Sequence, residues 1–281
     1  MKTPKRIQPL VEEGLVDAVI RQLMSGKEAT VYVVRCGEDI RCAKVYKEAN
    51  QRSFRQNASY QEGRKVKNSR QARAMEKGTR YGRKMQEEVW QNAEVDALYK
   101  LAAAGVRVPR PYICFEGVLL MDLVTDEAGN AAPRLNDIEL SEAVALDYHG
   151  QLLKQVVLML CAGVIHGDLS EYNILVGAEG PVIIDLPQAV DAAGNTTAGP
   201  MLERDVENLA TYFSRFAPQL LRRQYGKEIW ALYQAGLLTP DTPLTGHVAA
   251  DTRPADVGAV MREMALARKE EEDRVRHLHG G

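Results

Sequence analysis

The chain has 281 residues, of which 45% are hydrophobic and 26% are charged, so it is long enough to bury a sizeable core in one bilobal domain or two small ones. Its formal net charge of −2 argues against a general attraction to nucleic acid or membranes, and no apolar run approaches the length of a membrane span. The four cysteines form no C-x-x-C pair and the N-terminus shows no signal peptide, so we expect a cytoplasmic protein without a zinc or redox motif.

The N-terminal part predicts a helix followed by a hairpin. Residues 10–24 place apolar side chains at helical spacing. Residues 30–34 and 41–46 are strand-like, the first being rich in β-branched residues, and they flank a turn at Gly37, which is typical of a hairpin. The short loop 25–29 lies directly before the first strand.

A basic stretch, residues 47–84, follows this hairpin and predicts an insertion, because it has few aliphatic residues and no clean period. Between Lys44 and Lys84 the chain has 13 lysines and arginines against three glutamates. Tyr60 and Tyr81 are the only tyrosines in residues 47–84, which is little support for base stacking. We expect a solvated or substrate-facing loop, while contact with RNA or a ribosomal particle through this segment stays open.

The remaining elements are two short strands and several helices. The strands are expected over 112–115 and 118–124, joined by a tight turn. Helical spacing predicts helices over about 87–103, 142–162, 201–215, 217–235 and 255–277.

This order predicts an α+β protein with a bilobal, protein-kinase-like fold, in which a small N-terminal β-sheet lobe with one main helix precedes a mostly helical C-terminal lobe. The expected divisions are an N-terminal nucleotide-binding lobe over 1–124 that contains the insertion 47–84, a catalytic lobe over 125–240, and a C-terminal helical extension over 241–281.

The strongest chemical signal is the loop His166-Gly167-Asp168-x4-Asn173, followed by Asp185 at the end of an apolar strand. An acid, an amide and a second acid at this spacing suit phosphoryl transfer from ATP. Asp168 would orient and deprotonate the attacking hydroxyl, and Asn173 would hold magnesium. Asp185 would be costly to bury unpaired, which favours a metal ligand over a turn former.

Two N-terminal features fit the same site. The loop Ser25-Gly26-Lys27 offers a hydroxyl, backbone amides and close approach to phosphates, although a plain turn is the favoured interpretation of the loop taken alone. Lys44 lies in a strand much like the kinase V-A-I-K strand, whose lysine holds the α and β phosphates. Glu94 would supply its counter-charge.

The strand 118–123 is similar to the hinge between kinase lobes. Backbone groups near Asp122 and Leu123 would bind the adenine edge, and Met121 would pack behind the ring. A methionine in an apolar strand is more often only part of the core.

Together these residues resemble the RIO-type atypical protein kinases, and most closely the first RIO branch. The resemblance runs from about residue 5 to 235. It is carried by the motifs Ser25-Gly26-Lys27-Glu28-Ala29, Ala43-Lys44-Val45-Tyr46-Lys47, Val106-x-Val108-Pro109, His166-Gly167-Asp168-Leu169-Ser170-Glu171-Tyr172-Asn173 and Ile184-Asp185-Leu186-Pro187-Gln188.

The resemblance implies phosphorylation of serine or threonine in a protein substrate, including autophosphorylation, with ATP and Mg²⁺ or Mn²⁺. It also implies an ATPase cycle through Asp185 and, less securely, a role in maturation of the small ribosomal subunit. Gly167 stands where ordinary kinases have the arginine of H-R-D, and no A-P-E motif follows. We therefore expect that phosphorylation between Asp185 and Asp205 does not activate the enzyme.

Two other functions stay open at this point. Small-molecule phosphotransferases of the aminoglycoside or choline kinase kind also use an H-G-D…N loop, although they tend to have His-Pro where this chain has Ser170-Glu171-Tyr172. An ATP-binding ribosome-assembly scaffold would explain the basic stretch, but not the retention of both acids. Asp205 would either brace the catalytic loop or cap a helix.

Overall fold

A five-stranded antiparallel sheet and a group of helices form the protein, as seen in a computed structural model that describes residues 2–26, 28–47 and 93–248. The α+β class predicted from the sequence is confirmed. The described residues up to His247 belong to one compact unit. The first half of this unit holds α1 Gln8–Glu12, β1 Ala18–Ser25, β2 Ala29–Cys36, β3 Asp39–Tyr46, α2 over 93–103, β4 Pro111–Phe115 and β5 Val118–Asp122. The second half holds α3 Glu142–Cys161, β6 Val164–Ile165, β7 Ile174–Gly177, β8 Gly180–Ile183, β9 Val190–Asp191, α4 Ala198–Phe213 and α5 Tyr225–Gln234.

The sheet has the order β1-β2-β3-β5-β4, which makes β3 its central strand. Lys44 on β3 lies opposite Val31 on one side and Leu119 on the other. Because side chains alternate along a strand, Lys44 and Tyr46 share one face of the sheet, while Ala43 and Val45 point to the other.

Both faces of the sheet are covered. The face with Ala43 and Val45 packs in a cluster with Ile7 and Leu10, at and beside α1. The opposite face joins the main core, to which α2 contributes Leu98 and Leu101. Lys44 therefore lies in a protein interior rather than on a solvated sheet face.

The prediction of a helix over 10–24 is wrong. The helix ends at Glu12, Gly14 adopts a left-handed φ of 68°, and β1 begins at Ala18. Strand β1 pairs with β2 from Ala18 to Ser25, so a ladder formed with a distant segment overrides the local helical spacing of the apolar residues.

The helical part follows the predicted order with one change. Helix α3 begins at the N-cap Ser141, whose hydroxyl accepts a hydrogen bond from Val144 N at 3.3 Å. The helix predicted over 217–235 is two elements, a 3₁₀ helix at Pro218–Arg222 and then α5. The break falls where Arg223 is extended and Gln224 N donates to Gly246 O at 2.9 Å.

Several predictions fall outside the described residues. These are the insertion 47–84 beyond Lys47, the first residues of the helix 87–103, the helix 255–277 and most of the extension 241–281. The divisions at residues 124 and 240 stay predictions. Within the part of the chain that the structure describes, no helix combines the length and apolarity needed to cross a membrane.

Candidate active site

The loop that carries Asp168 follows β6, and side chains of α4 hold it through hydrogen bonds. Asp205 accepts hydrogen bonds from Gly167 N at 2.7 Å and from Leu169 N at 3.1 Å. Arg204 donates to Gly167 O, and Asn208 Nδ2 donates to Leu169 O at 3.0 Å. Asp205 lies in the middle of α4, so it braces the catalytic loop and does not cap a helix.

The carboxylate of Asp205 is buried, with 2% of the residue exposed. Burial raises the pKa of Asp205, and the two backbone N–H donors and the Arg204 charge partly offset that rise. A buried acid of this kind is stable only while its donors stay in place, which ties the conformation of the loop to the packing of α4.

Asp168 and Asn173 are joined within this loop. Asn173 Nδ2 donates to Asp168 O at 2.8 Å, and Ile184 N donates to Asn173 O at 2.9 Å. His166 Nε2 lies 3.1 Å from Ile184 O and must donate there, because a carbonyl oxygen only accepts. These bonds fasten the loop to the residue that immediately precedes Asp185.

The Asp168 side chain lies at an exposed position beside this network. Desolvation raises the pKa of Asp168, and the charge of Arg204 and a hydrogen bond from Asn173 lower it in part. A carboxyl with a raised pKa accepts a proton more readily, which suits a group that receives the proton of an attacking hydroxyl.

Asp185 lies two residues after the end of β8 and adopts a left-handed φ of 67°, which is rare for a residue other than glycine. Its Oδ1 lies 2.9 Å from Lys44 Nζ, while 44% of its side chain is exposed. The Lys44 charge lowers the pKa of Asp185 against the opposing effect of burial. Asp185 is therefore an ionised acid whose side chain is partly exposed to solvent.

Lys44 also binds Glu94 on α2, as the sequence predicted. Its Nζ lies 2.5 Å from Glu94 Oε1, and Tyr46 donates its hydroxyl to Glu94 Oε2 at 2.7 Å. Burial by itself lowers the pKa of Lys44, but the charges of Asp185 and Glu94 outweigh it and hold that pKa well above its usual value. Lys44 thus stays protonated between two carboxylates.

Tyr46 was missed by the sequence analysis as a site residue. The signal was present, because Tyr46 lies two positions after Lys44 and therefore on the same face of the strand. A buried tyrosine hydroxyl requires a partner, and Glu94 supplies it.

The loop before β2 is held by a second lysine that the sequence analysis did not assign to the site. Lys47 Nζ lies 2.5 Å from Gly26 O and 3.2 Å from Ser25 Oγ, and Lys47 N donates to Glu28 O at 2.8 Å. A Cβ added at Gly26 would lie 3.6 Å from Ala29 O, an ordinary contact, so the fold itself does not demand glycine there. Lys27 lies outside the described residues.

The predicted hinge residues lie at the end of β5. Met121 packs against the main core. Asp122 N donates to Arg110 O at 3.0 Å, and the Asp122 carboxylate binds the Tyr112 hydroxyl at 2.5 Å and Arg110 N at 3.2 Å. The side chain and the N–H of Asp122 are thus used within the protein, so an adenine edge would bind other backbone groups of this segment, such as those of Leu123.

The oxygen atoms of Asp185 and its neighbour Asn173 suit the binding of a divalent cation. The amide nitrogen of Asn173 faces Asp168 O, which leaves the amide oxygen for a cation shared with Asp185. Among the described residues there is no group of three or more His, Cys, Asp or Glu side chains that would enclose a metal. Magnesium fits such an incomplete set, because it is usually bound by one or two carboxylates together with phosphate oxygens.

Comparison with known proteins agrees with this geometry. The family model for the RIO domain matches residues 30–225. The chain belongs to the RIO domain family. This region contains Lys44, Glu94, the hinge residues, Asp168, Asn173 and Asp185, whereas Ser25 and Gly26 precede it.

The RIO domain is also similar to curated kinases. The chain is 33% identical over 215 residues to the RIO-type serine/threonine-protein kinase Rio1 of Haloferax volcanii, a match that covers 74% of this chain and 68% of that protein. It is 32% identical over 195 residues to Rio1 of Methanocaldococcus jannaschii, with 68% and 61% covered. The serine/threonine-protein kinase rio1 of Schizosaccharomyces pombe is 28% identical over 212 residues, and 40% of its length is covered. The chain therefore spans less than two thirds of the latter two relatives.

Proposed function

We propose that this RIO domain is an atypical protein kinase that transfers the γ-phosphate of ATP to serine or threonine hydroxyls of a protein, itself included. The observation that carries the proposal is the position of Lys44, which binds Glu94 and Asp185 while a braced loop holds Asp168 and Asn173 beside them. A lysine held by an acid from a helix, next to an acid and an amide on adjoining turns, is the arrangement that protein kinases use.

The side chains divide the reaction between them. Asp168 accepts the proton of the attacking hydroxyl while that oxygen forms its bond to the γ-phosphorus. The bond from the γ-phosphorus to the bridging oxygen breaks, and ADP leaves with the electron pair. Lys44 neutralises charge on the α and β phosphates, and Glu94 fixes its position. A divalent ion, which we infer to be Mg²⁺, would be held by Asp185 and Asn173 and would supply positive charge to the phosphates.

The proposal also covers the kinase branch, the substrate, a macromolecular contact and the residues that bind ATP. The Rio1 names of the archaeal relatives support the first RIO branch. A protein substrate follows from the kinase names of the relatives, and the basic stretch 47–84 is the segment through which a ribosomal particle or RNA would make contact. Backbone groups of Asp122 and Leu123 are proposed to bind adenine, and the Ser25-Gly26-Lys27 loop to cover the phosphates.

Incubation with γ-labelled ATP tests the proposal. Label on protein supports a protein kinase, label on an added aminoglycoside or choline supports a small-molecule kinase, and release of labelled phosphate alone supports an ATPase. The variants Asp168→Ala and Asp185→Ala each remove one acid and should abolish the transfer. Transfer that persists in both variants, or no nucleotide binding by the unaltered chain, would show that this site does not carry the chemistry.

A further inference from the structure

Arg134 lies close to the proposed site but has no role in the kinase chemistry described above. It stands in the loop between β5 and α3, directly before the 3₁₀ helix Leu135–Asp137. Its backbone forms a β-bridge with Leu175, two residues after Asn173. The Arg134 backbone is therefore attached to the strand that follows the proposed metal ligand.

The neighbours of Arg134 make its position rigid. Val176 N donates to Pro133 O at 2.9 Å, and Asp137 N donates to Arg134 O at 2.9 Å. The next residue, Leu135, is fully buried, and its carbonyl accepts the hydroxyl of Tyr212 at 2.7 Å. The Arg134 backbone is therefore fixed before any ligand arrives, so the entropy cost of ordering on binding falls mainly on its side chain.

The guanidinium of Arg134 reaches toward the sheet. Its Nη2 lies 2.9 Å from Met24 Sδ, and Met24 immediately precedes Ser25 and Gly26 of the proposed phosphate loop. Within the described part of the chain, no carboxylate oxygen lies within 4.0 Å of this guanidinium. A guanidinium has five N–H donors and a thioether is a weak acceptor, so the charge lacks an anionic partner there.

Arg134 thereby connects two parts of the proposed site. Its guanidinium lies next to Met24, just before the loop proposed to cover the phosphates, and its backbone is attached to the strand that follows the proposed metal ligand Asn173. In the proposed reaction, the group expected near these two segments is the terminal phosphate of ATP.

We propose that Arg134 binds the γ-phosphate of ATP and stabilises the negative charge that the phosphoryl group carries during transfer. The inference rests on the proposed kinase function and adds a residue to it. The guanidinium stays protonated throughout, and the bonds made and broken are those between the γ-phosphorus, the hydroxyl oxygen and the bridging oxygen. An arginine placed in this way acts electrostatically, as other arginines do in phosphoryl transfer.

The competing explanation is a structural one, in which Arg134 only connects two parts of the domain through Met24. The two explanations predict different effects on the affinities for ADP and ATP. A contact to the γ-phosphate affects ATP and leaves ADP unchanged, since ADP lacks that group. A structural contact affects both nucleotides alike, and removing the sulfur partner should have the same effect as removing the arginine.

The test measures dissociation constants for ADP and for a non-hydrolysable ATP analogue by calorimetry, together with kcat, in four variants. Arg134→Gln removes the charge, Arg134→Lys keeps it without the planar fork, Met24→Leu removes the sulfur, and Arg222→Gln removes an exposed arginine elsewhere in the domain. For Arg134→Gln we expect analogue affinity to fall about 10- to 100-fold with ADP affinity unchanged, which is the range for a lost hydrogen bond to a charged group. Arg134→Lys should restore part of the loss, and the other two variants should stay within about twofold.

Equal losses for ADP and the analogue in Arg134→Gln would overturn the proposal, as would a Met24→Leu variant that reproduces them. Unchanged analogue affinity and kcat in Arg134→Gln would also overturn it while leaving the kinase function intact. If the unaltered chain bound neither nucleotide, the proposed function and the role of Arg134 would fall together, so the two failures are distinguishable.

Discussion

Replacing Asp205 with asparagine changes one of the two oxygens that hold the loop carrying Asp168. The carboxylate accepts Gly167 N at 2.7 Å and Leu169 N at 3.1 Å, whereas an amide offers one acceptor and one donor. One buried N–H would then face an NH₂ group and lose its partner, at a cost of about 1–3 kcal/mol. For a chain of this size, about 2 kcal/mol lowers Tm by about 4–8 °C.

The catalytic effect should exceed the effect on stability. Asp168 lies between the two braced amides in sequence, so a loop that shifts even slightly changes the position of the proposed base. We expect kcat to fall about 10- to 100-fold with little change in the KM for ATP, because Lys44 and Asp185 lie outside the loop. Calorimetric melting and steady-state assays at saturating ATP measure the two effects.

Glu207→Gln provides the matched control, since Glu207 is exposed on the same helix and should change neither quantity. The reasoning is refuted if Asp205→Asn melts and turns over like the unaltered chain. It is also refuted if Glu207→Gln produces the same losses, because the effect would then belong to the helix and not to the brace.

Three further predictions concern other groups. Tyr46→Phe removes a donor from Glu94 and should raise the KM for ATP severalfold with a loss of about 1 kcal/mol in stability, and an unchanged KM would contradict it. Burial lowers the pKa of His149 to about 4. Between about pH 6.5 and 4 the histidine is therefore protonated in the unfolded chain but neutral in the folded chain. The free energy of unfolding should consequently fall by about 3 kcal/mol as the pH falls through that window. Urea unfolding should show this slope in the unaltered chain and a flatter one in His149→Phe. The segment after Asp185 is already paired to β6 through β9, so Thr196→Glu and Thr197→Glu should leave kcat within about twofold, and a severalfold rise would refute this.

The catalytic motif was predictable because its information is local. Asp168 and Asn173 lie five positions apart in one loop, and the strand before Asp185 is apolar and short. The long helix before the loop was also predictable, since twenty residues with a continuous apolar face leave little choice. The prediction of a helix over 10–24 failed because apolar residues at helical spacing can still pair as a strand when a partner strand is available.

The partners of the site residues were predictable only in part. The ion pair between Lys44 and Glu94 could be anticipated from the resemblance to kinases, but the hydroxyl of Tyr46 on the same carboxylate was missed. The contacts of Lys47 with the loop at Gly26 likewise depend on how the first three strands align.

The order and spacing of residues along the chain specify which chemical groups are present and which of them share a turn or a strand face. Three contacts become evident only in the tertiary structure. Asp205 accepts hydrogen bonds from the loop, Lys44 forms an ion pair with Asp185, which lies 141 positions later in the chain, and the Arg134 guanidinium contacts Met24. Such contacts form between segments far apart in the chain, and they depend on the packing of the whole core, which no local pattern of residues records.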